Sequence, residues 1–138
     1  MTAERSAIPV LGFRAGELCL AIAAEDVTAV ESARPGVAHI AEVLEVEPAP
    51  PSATQRVIHV RAVSGEDGAQ TTSAFLADPP VEVMLCRAGH IVPMAPSVPL
   101  LRLQPIMGFA RIGERLHMLL DIEGIIRALQ RERTGGEP

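Results

Sequence analysis

The fold of this chain is decided by residues 108–121, which read GFARIGERLHMLLD, and by the apolar residues that follow them. Two short apolar runs flank Gly113-Glu114, and this spacing predicts a β-hairpin with a tight turn. Asp121 then stands where the N-cap of a helix is expected. The next apolar residues recur at helical spacing, so the chain is expected to pass from strand to amphipathic helix at this aspartate. They are Ile122, Ile125, Ile126 and Leu129.

The beginning of the chain contains a second hairpin pattern. Residues 10–22 read VLGFRAGELCLAI, in which a Gly-Glu turn separates two apolar runs. Residues 23–31 follow, and we interpret them as a short helical turn that ends in a Val-x-x-Val pattern at Val27 and Val30.

The middle of the chain predicts further extended segments. They lie at 55–63, at 81–86 paired with 90–94, and at 100–103. Proline recurs around these segments and removes backbone donors, which places them at strand ends, edges or loops rather than in helices. Residues 64–73 are polar and contain glycine, and we expect a surface loop there. Many short strands and one terminal helix predict a mainly β domain, either a barrel or a sandwich.

Composition narrows the class of protein. The 138 residues suit one compact domain, and 48% hydrophobic with 21% charged residues is typical of a globular chain. The net charge of −5 disfavours nucleic acid as a partner, because neutralising phosphates requires a basic face. Residues 1–7 contain no apolar core of signal-peptide length, and no apolar run in the chain approaches the length of a membrane span. We therefore expect a cytoplasmic protein without membrane insertion.

The sequence shows no arrangement of residues typical of catalysis. It has no nucleophile elbow and no phosphate-binding glycine loop, and its histidines lack metal-ligand spacing. They are His39, His59, His90 and His117. Cys19 and Cys86 are interpreted as small buried hydrophobic residues, and the glutamates of residues 42–47 as a solvated charged edge. We predict no catalytic residue, no metal site and no cofactor.

The two terminal hairpins, with Asp121 between the last strand and the helix, resemble the beginning and end of CheW-like domains. These domains are adaptors that couple chemoreceptors to a histidine kinase. The resemblance implies a CheW-like pair of small five-stranded β-barrels with a C-terminal α-helix. It places that domain at residues 8–131, between tails at 1–7 and 132–138.

The function that the resemblance implies is that of a non-catalytic signalling adaptor in a bacterial chemosensory system. Its partners would be the cytoplasmic domain of a chemoreceptor, a CheA-type histidine kinase and other CheW-like adaptors. Arg56 is the nearest match to the family's receptor-contacting arginine. For each aliphatic residue in the implied partner-binding set, packing in the core is the alternative. The set is Val27, Val30, Glu31, Arg56, Val57 and Ile58.

The chain also departs from the family pattern. Ala29 stands where the family usually has an acidic residue, and the family's aspartate is missing from the segment Met94 to Val98. The segment from Leu103 to Met107 is short, which implies that one barrel is trimmed and that kinase contact is weakened. Two alternatives remain open: a regulatory β-barrel module of another family, and a small thiol enzyme that uses Cys19 or Cys86.

Overall fold

Eight strands and two helices are described in this computed structural model, which covers residues 7–63, 68–93 and 105–135. The strands are β1 (Ala7–Ala15), β2 (Leu18–Ala23), β3 (Val27–Ser32), β4 (Arg56–Val63), β5 (Gln70–Arg87), β6 (Ile91–Pro93), β7 (Ile106–Ile112) and β8 (Arg115–Leu120). The helices are α1 (Ile40–Leu44) and α2 (Ile122–Gly135). Short 3-10 turns lie at Ala24–Asp26 and Ala88–His90.

The strands form one sheet in the order β3-β4-β5-β1-β2-β8-β7-β6. The 18-residue strand β5 pairs with β4 through its first half and with β1 through its second half. β2 and β8 are parallel, whereas the other neighbouring strands are antiparallel. This parallel pair joins the hairpin at the start of the chain to the hairpin at its end.

Both predicted hairpins are confirmed, and each has a two-residue turn. Ala15 pairs with Leu18 across the first turn, and Ile112 pairs with Arg115 across the second. Gly113, the first residue of the second turn, has a φ of +64°, a backbone conformation that glycine adopts without a steric penalty.

The helix after Asp121 is confirmed together with its cap. The Asp121 side chain accepts a hydrogen bond from the Gly124 backbone N–H at 3.2 Å, and its carbonyl accepts one from Ile125 N–H at 2.9 Å. These bonds satisfy donors that the first turn of a helix otherwise leaves without partners. All four residues of the predicted apolar stripe are buried in the core of the protein.

Two hydrophobic cores lie on opposite faces of the β1–β2 hairpin. Alternate residues point to each face, so Phe13 and Leu20 enter the first core while Val10 and Ala21 enter the second. The first core is the larger and contains the apolar faces of α1 and α2. A run buried on both faces explains why residues 10–22 are almost continuously apolar. The predicted mainly β, CheW-like fold with a C-terminal helix is confirmed.

Two predictions of local structure were wrong. The helical turn is confined to Ala24–Asp26, and Val27 and Val30 lie in strand β3. The segment 90–94 does not pair with 81–86. Instead, β6 pairs with β7 and β5 pairs with β1, because the chain passes through the 3-10 turn Ala88–His90 rather than reversing in a hairpin.

Other expected segments differ in extent. Residues 70–73, expected in a loop, begin β5 and pair with β4, while 64–67 lie outside the described residues. The first part of the glutamate-containing segment forms α1, where Glu42 completes a capping box with His39. Residues 94–104, which include the predicted segment 100–103 and the first two residues of the shortened connection, lie outside the described part of the chain.

Candidate functional site: a groove at the junction of the two cores

An apolar groove of about 730 Å³ lies where the two cores meet. Its floor combines second-core residues with the first turn of α2, and its edges carry aliphatic side chains that remain exposed. The main apolar residues are Ile8, Val10, Val63, Cys86, Ile91, Met107, Leu119 and Ile122. Because exposed apolar surface is unfavourable in water, a concave patch of this kind is typical of a partner-binding site.

The rim of this groove is mainly acidic. Glu25 and Asp26 come from the 3-10 turn before β3, and Asp121 and Glu123 come from the start of α2. Burial raises the pKa of Asp26, and the nearby carboxylates of Glu25 and Asp121 raise it further, while Arg61 opposes this effect. A partner with positive charge beside an apolar surface would complement this rim.

The structure brings the six predicted partner-binding residues together on the β3–β4 pair. Val30 is paired with Ile58, Glu31 with Val57, and Ser32 with Arg56. Val57 and Ile58 are fully buried, so their side chains pack inside the protein and are not available to a partner. Val57 and Ile58 therefore pack in the core, which was the alternative to partner binding.

The other predicted residues are at least partly accessible on or beside β3, the terminal strand of the described sheet. Val27 packs partly against the first core, and Val30 is 42% exposed. The Glu31 carboxylate accepts hydrogen bonds from Arg34 at 2.9 Å and from His59 at 2.7 Å, and these bonds lower the pKa of Glu31. None of these residues lines the groove, although the rim residue Asp26 directly precedes Val27.

Arg56 is held by its own loop. Its Nη1 donates to the backbone carbonyls of Ala53 at 3.0 Å and Gln55 at 2.9 Å. These bonds fix the side chain at the start of β4, beside the end of the edge strand. Whether it contacts a receptor remains a prediction.

A buried polar cluster centred on Asp78 was not found by the sequence analysis. Asp78 is 1% exposed and accepts four hydrogen bonds. Its Oδ2 accepts from Gly16 N–H at 2.7 Å and Ala49 N–H at 2.9 Å, and its Oδ1 accepts from His39 and Gln55, both at 2.8 Å. Burial alone would raise the pKa of Asp78, but these donors outweigh it and hold the pKa below its usual value.

The Asp78–His39 contact resembles part of a catalytic dyad, but its hydrogen bonding is complete. Nδ1 of His39 accepts a bond from Ala41 N–H at 2.9 Å, so Nε2 carries the proton and donates to Asp78. Neither ring nitrogen is available to activate a nucleophile. The cluster therefore holds together the first hairpin turn, the start of α1 and the loop before β4.

The thiol of Cys86 gives no support to the enzyme alternative, whereas Cys19 is only partly buried, contrary to its interpretation as a buried residue. Cys86 is buried, and burial raises the pKa of its thiol, which lowers the fraction of reactive thiolate. Across the described ranges, histidine, cysteine and acidic side chains form no group of three or more that could hold a metal ion. Neither described helix has the length and apolar character needed to cross a membrane.

The paired cores, the continuous sheet and the capped C-terminal helix match the predicted CheW-like fold. No protein-family model and no curated protein matches the sequence. In structure, the chain is similar to the scaffolding protein TtCheW from Thermoanaerobacter tengcongensis, with a TM-score of 0.66 and 13% identity. The similarity covers 85% of this chain and 86% of that chain, so the two chains are of about the same length.

Proposed function

We propose that this protein is a signalling adaptor of a bacterial chemosensory system, acts in the cytoplasm, and binds the cytoplasmic domain of a chemoreceptor. The observation that carries the proposal is the groove at the junction of the two cores in a CheW-like fold. An adaptor needs a stable surface for a partner rather than a reactive group, and the groove supplies apolar area with a charged rim.

The receptor segment that fits this groove is a helix with one apolar face. Such helices place aliphatic side chains into apolar grooves at positions three and four residues apart. The exposed Val63 and Met107 would be covered by the bound helix. The edge strand β3 continues from the rim and supplies a second contact surface through Val30, in keeping with the sequence-based prediction.

Kinase binding is the second part of the proposal. A CheA-type kinase is expected to bind more weakly than it binds other CheW-like adaptors, because the connection before Met107 is short in the sequence. The similar length of TtCheW gives no support to a general truncation of the chain, so this prediction depends on that local segment alone. Other CheW-like adaptors remain possible partners.

Isothermal titration of the purified protein with a receptor cytoplasmic domain and with the kinase regulatory domain tests the proposal. Val63→Asp should weaken receptor binding by about tenfold or more, because a carboxylate would be buried without a partner in the complex. Val83→Asp is the matched control: Val63 is 55% exposed and Val83 is 66% exposed, but Val83 does not line the groove.

The results of these titrations test receptor binding, the role of the groove and kinase binding separately. Receptor binding that is lost in Val63→Asp and retained in Val83→Asp supports the groove. Equal binding by the two variants would overturn the groove as the contact surface. Kinase binding without receptor binding would reverse the expected order of affinities. Binding to neither partner would overturn the adaptor function.

A further inference from the structure

One carboxylate on the wall of the apolar groove is partly buried and has no donor. Asp26 ends the 3-10 turn Ala24–Asp26 and lines the groove beside the exposed Glu25. Within the part of the chain that the structure describes, Asp26 accepts no hydrogen bond and forms no ion pair. Asp78 and Glu31, by contrast, each accept hydrogen bonds from donors within the protein. A carboxylate that loses water without gaining a donor is costly, so its position on a groove indicates a donor that a partner supplies.

The charge around Asp26 is mainly negative. Glu25 and Asp121 repel its carboxylate, and Arg61 on β4 is the cation that attracts it. The described lining of the groove carries the four carboxylates of Glu25, Asp26, Asp121 and Glu123 against the one guanidinium of Arg61. Because this surface is both negative and partly desolvated at Asp26, its complement is an apolar partner with a positive charge.

A cation bound beside Asp26 would reverse the effect that the protein has on this group. Burial raises the pKa of Asp26, and the neighbouring carboxylates raise it further. A positive charge in contact with Asp26 acts in the opposite direction, because it stabilises the ionised carboxylate. A cationic partner therefore binds the ionised form more tightly, and its affinity depends on the ionisation of Asp26.

We propose that Asp26 determines which receptor helices bind in this groove, by accepting hydrogen bonds from an arginine beside the apolar stripe of the helix. This inference rests on the proposed function and specifies the chemistry of its partner. The stripe covers Val63 and Met107, and the guanidinium contacts the carboxylate of Asp26. Arginine fits better than lysine, because its planar group can donate to Asp26 and to a neighbouring rim carboxylate at the same time.

Isothermal titration of a receptor cytoplasmic domain into the wild type and two variants tests this inference. Asp26→Asn and Glu25→Gln each remove one negative charge from the same turn, but only Asp26 is partly buried. At neutral pH, Asp26→Asn should weaken receptor binding by about tenfold or more, because a charge-assisted hydrogen bond is lost, and Glu25→Gln by less than about threefold. The melting temperature of Asp26→Asn should be no lower than that of the wild type, since Asp26 has no hydrogen bond to lose.

The dependence of affinity on pH separates a contact with the partner from a structural role. The other titratable or charged groups of the described groove lining are Glu25, Arg61, Cys86, Asp121 and Glu123. On acidification, Arg61 keeps its charge and the thiol stays neutral. The affinity of the wild type should fall as the pH is lowered towards the raised pKa of Asp26. The affinity of Asp26→Asn should change less over the same range, because only the other carboxylates titrate in both proteins.

The possible contrary results have different meanings. Receptor binding by the wild type with equal losses in Asp26→Asn and Glu25→Gln, or with no loss in Asp26→Asn, would overturn this inference and leave the proposed function standing. A lower melting temperature of Asp26→Asn, or the same pH dependence in this variant as in the wild type, would also overturn it. Self-association of the wild type that Asp26→Asn abolishes would assign the groove to a second copy of the chain instead. Absence of receptor binding by the wild type would overturn both proposals.

Discussion

Replacing Asp78 by asparagine tests the buried cluster most directly. The carboxylate accepts two bonds at each oxygen, whereas an asparagine side chain keeps one oxygen and introduces an amide NH2. With the NH2 at the Oδ2 position, it opposes the N–H groups of Gly16 and Ala49. With the NH2 at the Oδ1 position, it faces the donors of His39 and Gln55. Gln55 can rotate its amide to present its oxygen instead. His39 can present an acceptor only if its proton moves from Nε2 to Nδ1, and it then loses the hydrogen bond from Ala41 N–H.

The expected loss follows from this count. At least one buried donor loses its acceptor, and the remaining bonds lose the charge of the carboxylate, so Asp78→Asn should lower the free energy of unfolding by about 3 kcal/mol. For a chain of this size, the melting temperature should fall by about 10 °C. Urea and thermal unfolding followed by circular dichroism measure both quantities. Asp26→Asn is the control, because the Asp26 carboxylate lies on the groove rim and its pKa is raised rather than lowered.

The same variant should change the dependence of stability on pH. The pKa of Asp78 is lower in the folded protein than its usual value of 3.8, so its contribution is complete above that value and is lost as the pH falls towards the folded-state pKa. The wild type should therefore lose more stability than Asp78→Asn on acidification below about pH 4. A difference in stability below about 0.5 kcal/mol at neutral pH would refute the proposed hydrogen bonding.

Two further predictions concern the final hairpin and helix. Ile126→Asp should destabilise the domain by about 4 kcal/mol or more, because it buries a carboxylate without a partner, whereas the exposed Arg127→Ala should have little effect. Equal melting temperatures of these two variants would show that α2 is not packed as described. Gly113→Val should cost about 1–2 kcal/mol from its positive φ alone, since a Cβ there meets no neighbour within 4 Å, and Glu114→Val should cost less. Urea unfolding of the two turn variants checks this, and equal losses would contradict the turn geometry.

Local sequence patterns predicted the elements that depend on neighbouring residues. The turn at Gly113, the N-cap at Asp121 and the stripe that includes Ile126 depend on interactions within a few positions. Pairing between distant segments was harder to predict. The segment 81–86 was matched with its nearest neighbour in sequence, but the structure pairs it with β1, which lies about seventy residues earlier.

The candidate sites show the same limit. The sequence predicted that Val57 and Ile58 bind a partner. Residue type alone does not distinguish an aliphatic side chain in the core from one on the surface, and only the packing of β4 shows that both side chains are buried. The groove could not be predicted from the sequence, because its lining comes from the 3-10 turn Ala24–Asp26, helix α2 and every strand except β3. Nothing in the local pattern marks these residues as neighbours.

The sequence by itself determined the two hairpins, the capped helix, the mainly β class and the resemblance to CheW-like domains. Each depends on periodicity or turn chemistry within a short window. Only the tertiary structure decided the parallel contact of β2 with β8, the groove and the convergence of His39, Gln55 and Asp78. These depend on which distant segments pack together, and that choice is made by burial and hydrogen bonding over the whole chain.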